Sequence, residues 1–315
     1  MLRHGDSEIN GMAQRGNPRN RGATTNALPM VIMVVVLLLA TLAAWMWYDM
    51  NKTNLAEKAV EAERLKHGIV PVQNPAPVET PVAPNPVPNS ANVYECRRAT
   101  GPIVIDGNPD DAAWKQAAVI DNFSLPWLGA KARPARTKTV ARLLWDDQFL
   151  YFLAEMDDAD VYADNTEHNG AIWFNDVFEL FFKPSRANLG YYEFEVSANN
   201  TTFDVYFPSR GSGSVGRWKN KFQFHLETKV ALRSGTTIND ASDRDTGWIV
   251  EGKIPWTDFV QTGGKPIPNS EWRFALCRYD YSKDFEEPEM STSAPLTQQN
   301  FHRYEDYGAI KFVGQ

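Results

Sequence analysis

From Val93 onward, apolar and polar residues alternate with a period of two. Phe203, Val205 and Phe207 are set off by Asp204 and Tyr206, and Phe222, Phe224 and Leu226 by Gln223 and His225. Trp248, Val250 and Ile254 share one side opposite Glu251 and Lys253, and Trp272, Phe274 and Leu276 repeat the pattern. The segments 138–144 and 149–156 flank Trp145-Asp146-Asp147-Gln148 and read as a hairpin, while 177–182 is a nearly continuous apolar run broken by Glu179. In Tyr192-Glu-Phe-Glu-Val196 the tyrosine, phenylalanine and valine face one way. Successive strand side chains point to opposite faces, so this texture, punctuated by Gly, Pro, Asn and Asp, predicts many short strands. One helical turn near 110–115 is the only other element expected there, and the pattern predicts an all-β domain, a β-sandwich over 93–315. Trp114, Trp145, Trp248 and Trp256 are expected in its core.

The N-terminal part reads differently. Residues 1–27 are polar and Arg-bearing, a flexible tail. Residues 28–48 form an uncharged apolar run that ends in Trp45, Trp47 and Tyr48. As a helix it spans a ~30 Å hydrocarbon core, with aromatics at the interface, and it is longer than the apolar region of a cleaved signal peptide. Arg15, Arg19 and Arg21 before it place the N-terminus inside and the domain on the exported side. Residues 49–92 combine a juxtamembrane helix over 54–66 with a spacer carrying Pro71, Pro75, Pro77, Pro81, Pro84, Pro86 and Pro88, which favours polyproline II. The expected product is a single-pass membrane protein presenting one sandwich.

Composition narrows the chemistry. The 315 residues include ten Trp, eleven Tyr and seventeen Phe, with a formal net charge of −7 and no basic stripe, which argues against nucleic acid. Cys96 and Cys277 have no metal or redox spacing; one disulfide or two buried thiols are both open. Gly211-Ser-Gly-Ser-Val-Gly216 matches a dinucleotide motif by letters, but a polar stretch follows it rather than a helix, so a hairpin loop is expected. Adjacent acidic pairs such as Asp110/Asp111 and Asp146/Asp147 suit turns better than a glycosidase cleft. The cluster Asp157, Asp158, Asp160, Asp164 and Asp176 supplies hard oxygens of the kind Ca2+ takes.

Eight segments in order resemble the family 9 carbohydrate-binding modules. They begin with Ile103-Val-Ile-Asp-Gly-Asn-Pro-Asp-Asp-Ala-Ala-Trp114 and include 139–151, 157–161, Ile172-Trp-Phe-Asn-Asp-Val-Phe-Glu-Leu-Phe-Phe182, 192–196, 247–256 and 272–278, closing with 301–312. The resemblance implies an antiparallel, jelly-roll or DOMON-like β-sandwich without catalytic activity, bound Ca2+ held by Asp158, Asp160, Asp164 and Asp176, and an oligo- or polysaccharide partner. It also implies that Trp173 and Phe301 sandwich a sugar ring, that Glu179 bonds its hydroxyls, and that Trp127 extends the site. Glu195 stands where the family has a basic residue, and Phe301 where a Trp is usual. Related sandwiches bind haem b through Met, which makes Met156 an alternative axial ligand and electron transfer an alternative function.

Overall fold

A computed structural model of the chain describes residues 93–184 and 187–314. The tail, the apolar run 28–48 and the 49–92 linker lie outside the described residues, and among the described residues no helix is long and apolar enough to cross a membrane. The strands are β1 (Val93–Arg98), β2 (Val119–Ile120), β3 (Thr139–Trp145), β4 (Phe149–Met156), β5 (Val177–Lys183), β6 (Tyr191–Ser197), β7 (Thr202–Phe207), β8 (Glu227–Leu232), β9 (Trp248–Pro255), β10 (Glu271–Asp280), β11 (Glu289–Thr292) and β12 (Gly308–Val313). They form one sheet in the order β7-β6-β5-β10-β12-β1-β3-β4-β9-β8, with β11 on β10 and β2 on β3.

The sheet curls until its two halves face each other. Phe152 of β4 stacks over Phe178 of β5 with ring centroids 6.5 Å apart. At the far edges the turn after β6 meets β8, where the Thr228 hydroxyl donates to Asn200 Oδ1 at 3.0 Å. The inward faces of both halves build the central core, including Leu143, Trp145, Phe152, Phe178, Phe194, Trp248 and Phe312. This is the expected sandwich, with one correction: it is not wholly antiparallel. β1 runs parallel to both β12 and β3. The segment 99–138 between β1 and β3 is long enough for the crossover that a parallel pair requires.

Two further corrections concern local structure. Residues 222–226 alternate like a strand but are irregular, and Phe222, Phe224 and Leu226 cover the open end of the central core. The 211–216 loop closes no hairpin, because β7 and β8 lie at opposite edges of the sheet and the segment between them crosses from one half to the other. Cys96 and Cys277 are free, buried thiols in different apolar clusters.

The outer face of β3 and β4 is covered by the expected turn, a 3-10 helix over Ala112–Gln116 that packs Trp114 against Leu144 and Leu153. Glu251 of β9, wholly buried, locks it down. Its carboxylate accepts Trp114 Nε1 at 2.8 Å and the backbone N–H groups of Asp106 and Gly107 at 3.0 and 3.1 Å. Gly107 has φ +85°, and a Cβ there would meet Ala231, so glycine is required. The Ile-Asp-Gly motif and its following Trp are therefore a clasp on one buried acid. Replacing Glu251 by Ala strands the Trp114 Nε1 and Gly107 N–H donors, while the Asp106 N–H keeps the Val104 carbonyl as a partner, and is expected to cost about 2–4 kcal/mol, against about 1–2 kcal/mol for Trp114→Phe, which removes one bond; denaturant titration of the two variants measures the difference.

Candidate functional site

The other half of the sheet carries the chemistry. In β5, Phe178, Leu180 and Phe182 enter the central core, so Val177, Glu179, Phe181 and Lys183 take the outer face. In β6, Tyr192, Phe194 and Val196 point inward, leaving Tyr191, Glu193 and Glu195 outward beside Phe203 and Val205 of β7. This outer face is not open to water. Loops bearing Trp127, Trp173, Leu296 and Phe301 lie across it, and every residue of β5 and β6 is buried.

Beneath those loops Glu179, Glu193 and Glu195 converge, each 4% exposed or less, with one oxygen of each within 4.8 Å of the others. Glu179 and Glu195 are directly paired across the β5–β6 ladder. His302 Nδ1 lies 3.9 Å from Glu193 Oε2 and is bridged to the Tyr191 hydroxyl at 3.1 Å. A cluster of carboxylates is an acceptor set suited to hydroxyl donors, since a charged acceptor roughly doubles the strength of such a bond. Glu193 was not among the expected site residues. Its signal was the same alternation that put Glu195 on this face.

The aromatic candidates lie over the same face. Trp173, on the 3-10 turn Ile172–Phe174, is half-buried and stands edge-on to Phe203 at 5.6 Å. Phe301 is only 3% exposed, its ring held between Trp127, Phe181 and Tyr279 at 6.3, 6.2 and 5.3 Å. Trp127, on the turn Pro126–Lys131, is half-buried and is the more accessible of that pair. Trp173, Trp127, Phe301 and Glu179 thus share one face of one half of the sheet. Met156 does not join it: it is fully buried in the central core, with no open side for a haem.

The aspartates expected to hold Ca2+ separate into two sets. Asp164 is exposed and accepts the Tyr162 hydroxyl and Asn175 Nδ2. Asp160 accepts the Lys283 backbone N–H at 2.6 Å. Only Asp158 and Asp176 converge, and their third partner is Asp280, within 4.8 Å. The cation among them is Arg278, wholly buried, which donates to Asp158 Oδ2 at 2.9 Å and lies 3.3 Å from Asp280 Oδ2. Both Asp176 oxygens are taken by backbone N–H groups, of Tyr162 and Tyr281, each at 2.6 Å. With N–H donors on both oxygens of Asp158 and Asp176 and the Thr137 hydroxyl on Asp280 Oδ2, five of the six oxygens already accept a hydrogen bond, and the cluster does not fit an ion that wants about six to eight oxygen ligands. It is an ion-pair network built around an arginine.

Its electrostatics follow from burial. Loss of solvent pushes Asp158 up to about 6, against the pull of Arg278, and pushes Asp176 well above the usual carboxylate range, with Asp158 and Asp280 adding repulsion. Burial works against the Arg278 charge, but Asp280, Asp158 and Asp176 outweigh it and raise its pKa. The folded protein holds the Asp158 proton more tightly than an unfolded chain, whose carboxyl titrates at about 4. The stability this gives is complete below about 4 and drains away as the pH rises through about 6. Melting temperatures recorded from pH 4 to 7 are expected to fall along this interval and to fall less steeply in Asp158→Asn, the raised Asp176 carrying the remainder of the slope. Arg278→Leu leaves the acids without their cation and is expected to cost about 3–5 kcal/mol at neutral pH.

Residues 105–315 match the family model described as "Carbohydrate family 9 binding domain-like", which covers more than half of the chain. Endo-1,4-beta-xylanase A of Thermotoga neapolitana is 30% identical over 170 residues, 54% of this chain and 13% of that protein. Exoglucanase XynX of Acetivibrio thermocellus is 27% identical over 167 residues, 53% of this chain and again 13% of the relative. The match therefore spans about an eighth of the length of those curated proteins. Among solved structures, a putative carbohydrate-binding protein from Bacteroides uniformis superposes with a TM-score of 0.52 at 13% identity, over 70% of this chain and 99% of that one. A family 9 module from Caldicellulosiruptor kristjanssonii in complex with cellotriose gives a TM-score of 0.48 at 19% identity, over 70% and 95%.

Proposed function

The chain belongs to the carbohydrate family 9 binding domain-like family, whose modules are non-catalytic, and on that footing we propose that the chain binds a saccharide where the loops bearing Trp127 and Trp173 cross the outer face of β5 and β6. A pyranose has an apolar C–H face and a hydroxyl rim. An aromatic ring covers the first without needing a partner for each hydroxyl, and a carboxylate grips the second. Trp173 offers the platform and Glu179, beneath the loops, the acceptor, and Trp127, edge-on to the buried Phe301, is a second half-buried ring on the same face. The convergence of an accessible Trp and buried carboxylates on one sheet face is the single observation that supports this reading most. The xylanase and exoglucanase relatives make β-linked plant polysaccharides the first ligands to try.

Isothermal titration against glucose, cello-oligosaccharides and xylan is expected to give saturable heat with at least one of them. Trp173→Ala is expected to weaken that binding by roughly tenfold or more, the worth of one well-placed aromatic contact. Absence of heat with all of them, or an undiminished Trp173→Ala, removes the proposal.

The uncharged run 28–48, with its terminal Trp45, Trp47 and Tyr48, supports display of this domain on the exported side of a membrane. The chain expressed in cells is expected to stay with membranes through alkaline extraction and to leave them when residues 28–48 are deleted; a chain that washes off intact contradicts this part.

A further inference from the structure

Beside Trp173 lies a cleft of about 380 Å3 that neither the family match nor the site described above accounts for. Tyr162 and Tyr281 line it, their rings 6.3 Å apart and tilted by 46°, with Asn239, Ser282 and Lys283 at its margin. The cleft is joined to the saccharide face in two ways. The Tyr281 hydroxyl donates to the Trp173 carbonyl oxygen at 2.9 Å. Tyr281 also stacks on Tyr279 at 6.5 Å and 25°, and Tyr279 packs on Phe301 at 5.3 Å. Residues 279 and 281 fall on one side because they are two apart in extended chain. A continuous row of rings thus leads from Trp127 and Phe301 through Tyr279 and Tyr281 to Tyr162.

The row is fixed rather than fortuitous. Buried Asp176 accepts the backbone N–H of Tyr162 with one oxygen and that of Tyr281 with the other, each at 2.6 Å. One carboxyl therefore sets both tyrosines on the same bearing, three residues after Trp173 in the chain. The charged groups at the cleft are already committed. Asp160 accepts the Lys283 backbone N–H, and the Lys283 ammonium donates to the carbonyls of Ala241 and Asp243. Tyr162 itself is 37% exposed. What the cleft offers is ring surface with no net charge to satisfy, which suits a neutral ligand with an apolar face.

We infer that this cleft is an extension subsite, in which further units of a neutral oligosaccharide lie over Tyr281 and Tyr162 when one unit occupies the Trp173 face. The inference rests on the saccharide reading above and adds chain length to it: affinity should grow with the number of sugar units.

The experiment titrates the 315-residue chain and two variants, Tyr162→Ala and Trp173→Ala, with glucose, cellotriose and cellohexaose, and with the matching xylo-oligosaccharides. Circular dichroism first establishes that Tyr162→Ala, a change at an exposed ring, is folded. The expected result is a hexasaccharide-to-monosaccharide affinity ratio of roughly ten in the parent, the size of one added aromatic contact, collapsing towards one in Tyr162→Ala. A parent ratio near one, or a ratio unchanged in Tyr162→Ala, overturns the subsite, while a monosaccharide affinity that still falls roughly tenfold or more in Trp173→Ala upholds the primary face. Binding to none of the sugars, or binding indifferent to Trp173→Ala, overturns both.

Discussion

Everything at the candidate site follows from β5 and β6 being buried on both faces. One face feeds the central core through Phe178, Leu180, Tyr192 and Phe194, and the loops over the other leave no residue of either strand exposed. An ordinary half-buried strand can turn a glutamate outward to water. Here Glu179, Glu193 and Glu195 have nowhere to turn, and a buried carboxylate is costly unless something donates to it. Acids kept in such a place are there for what they bind or for what they orient. The same constraint explains the aromatic lid: Trp127, Trp173 and Phe301 are the apolar cover that the outer face needs in order to be dry.

The second acidic cluster solves the same difficulty in another way. Asp158, Asp176 and Asp280 lie around a guanidinium supplied by their own sheet, and Arg278 and Asp280 belong to the same strand, two residues apart. A planar, always-charged fork can serve two carboxylates and a backbone carbonyl at once, as Arg278 does for Asp158, Asp280 and Asp157. The geometry around the cluster is transmitted outward by Asp176, whose two oxygens hold two separate loops in register. A buried charge network and the pair of rings that line the cleft are in this way one assembly.

Much of this was legible in the sequence, and the parts that were not have physical reasons. Period-two alternation located β6, β7, β9 and β10, and a hairpin spacing and an apolar run located β3, β4 and β5, because each has one face in the central core. It failed over 222–226, where Phe222 and Phe224 are spaced like strand residues but fill the end of the core from a chain with no partner strand. The direction of β1 was invisible, since Val93–Arg98 reads the same whether its neighbours run parallel or antiparallel. Glu251 looked like a solvent-facing residue opposite Trp248 and Val250, yet it is wholly buried, because the motif at 103–114 folds over it from far away in the chain. The same holds for Asp160 and Asp164. Proximity in sequence suggested a common shell with Asp158 and Asp176, but the chain between them turns their side chains to different partners.

The parallel placement of β1 also has a mechanical meaning. β1 sits inside the sheet, held along five residue pairs by β12, the last strand of the domain, and by β3 on its other side. Force arriving through the chain ahead of Val93 is directed along this strand, so the rungs of its ladder share the load simultaneously instead of peeling open one after another. A pull on the chain ahead of Val93 would thus meet a shear-resistant strand at the middle of the sheet, where rupture demands the most bonds at once.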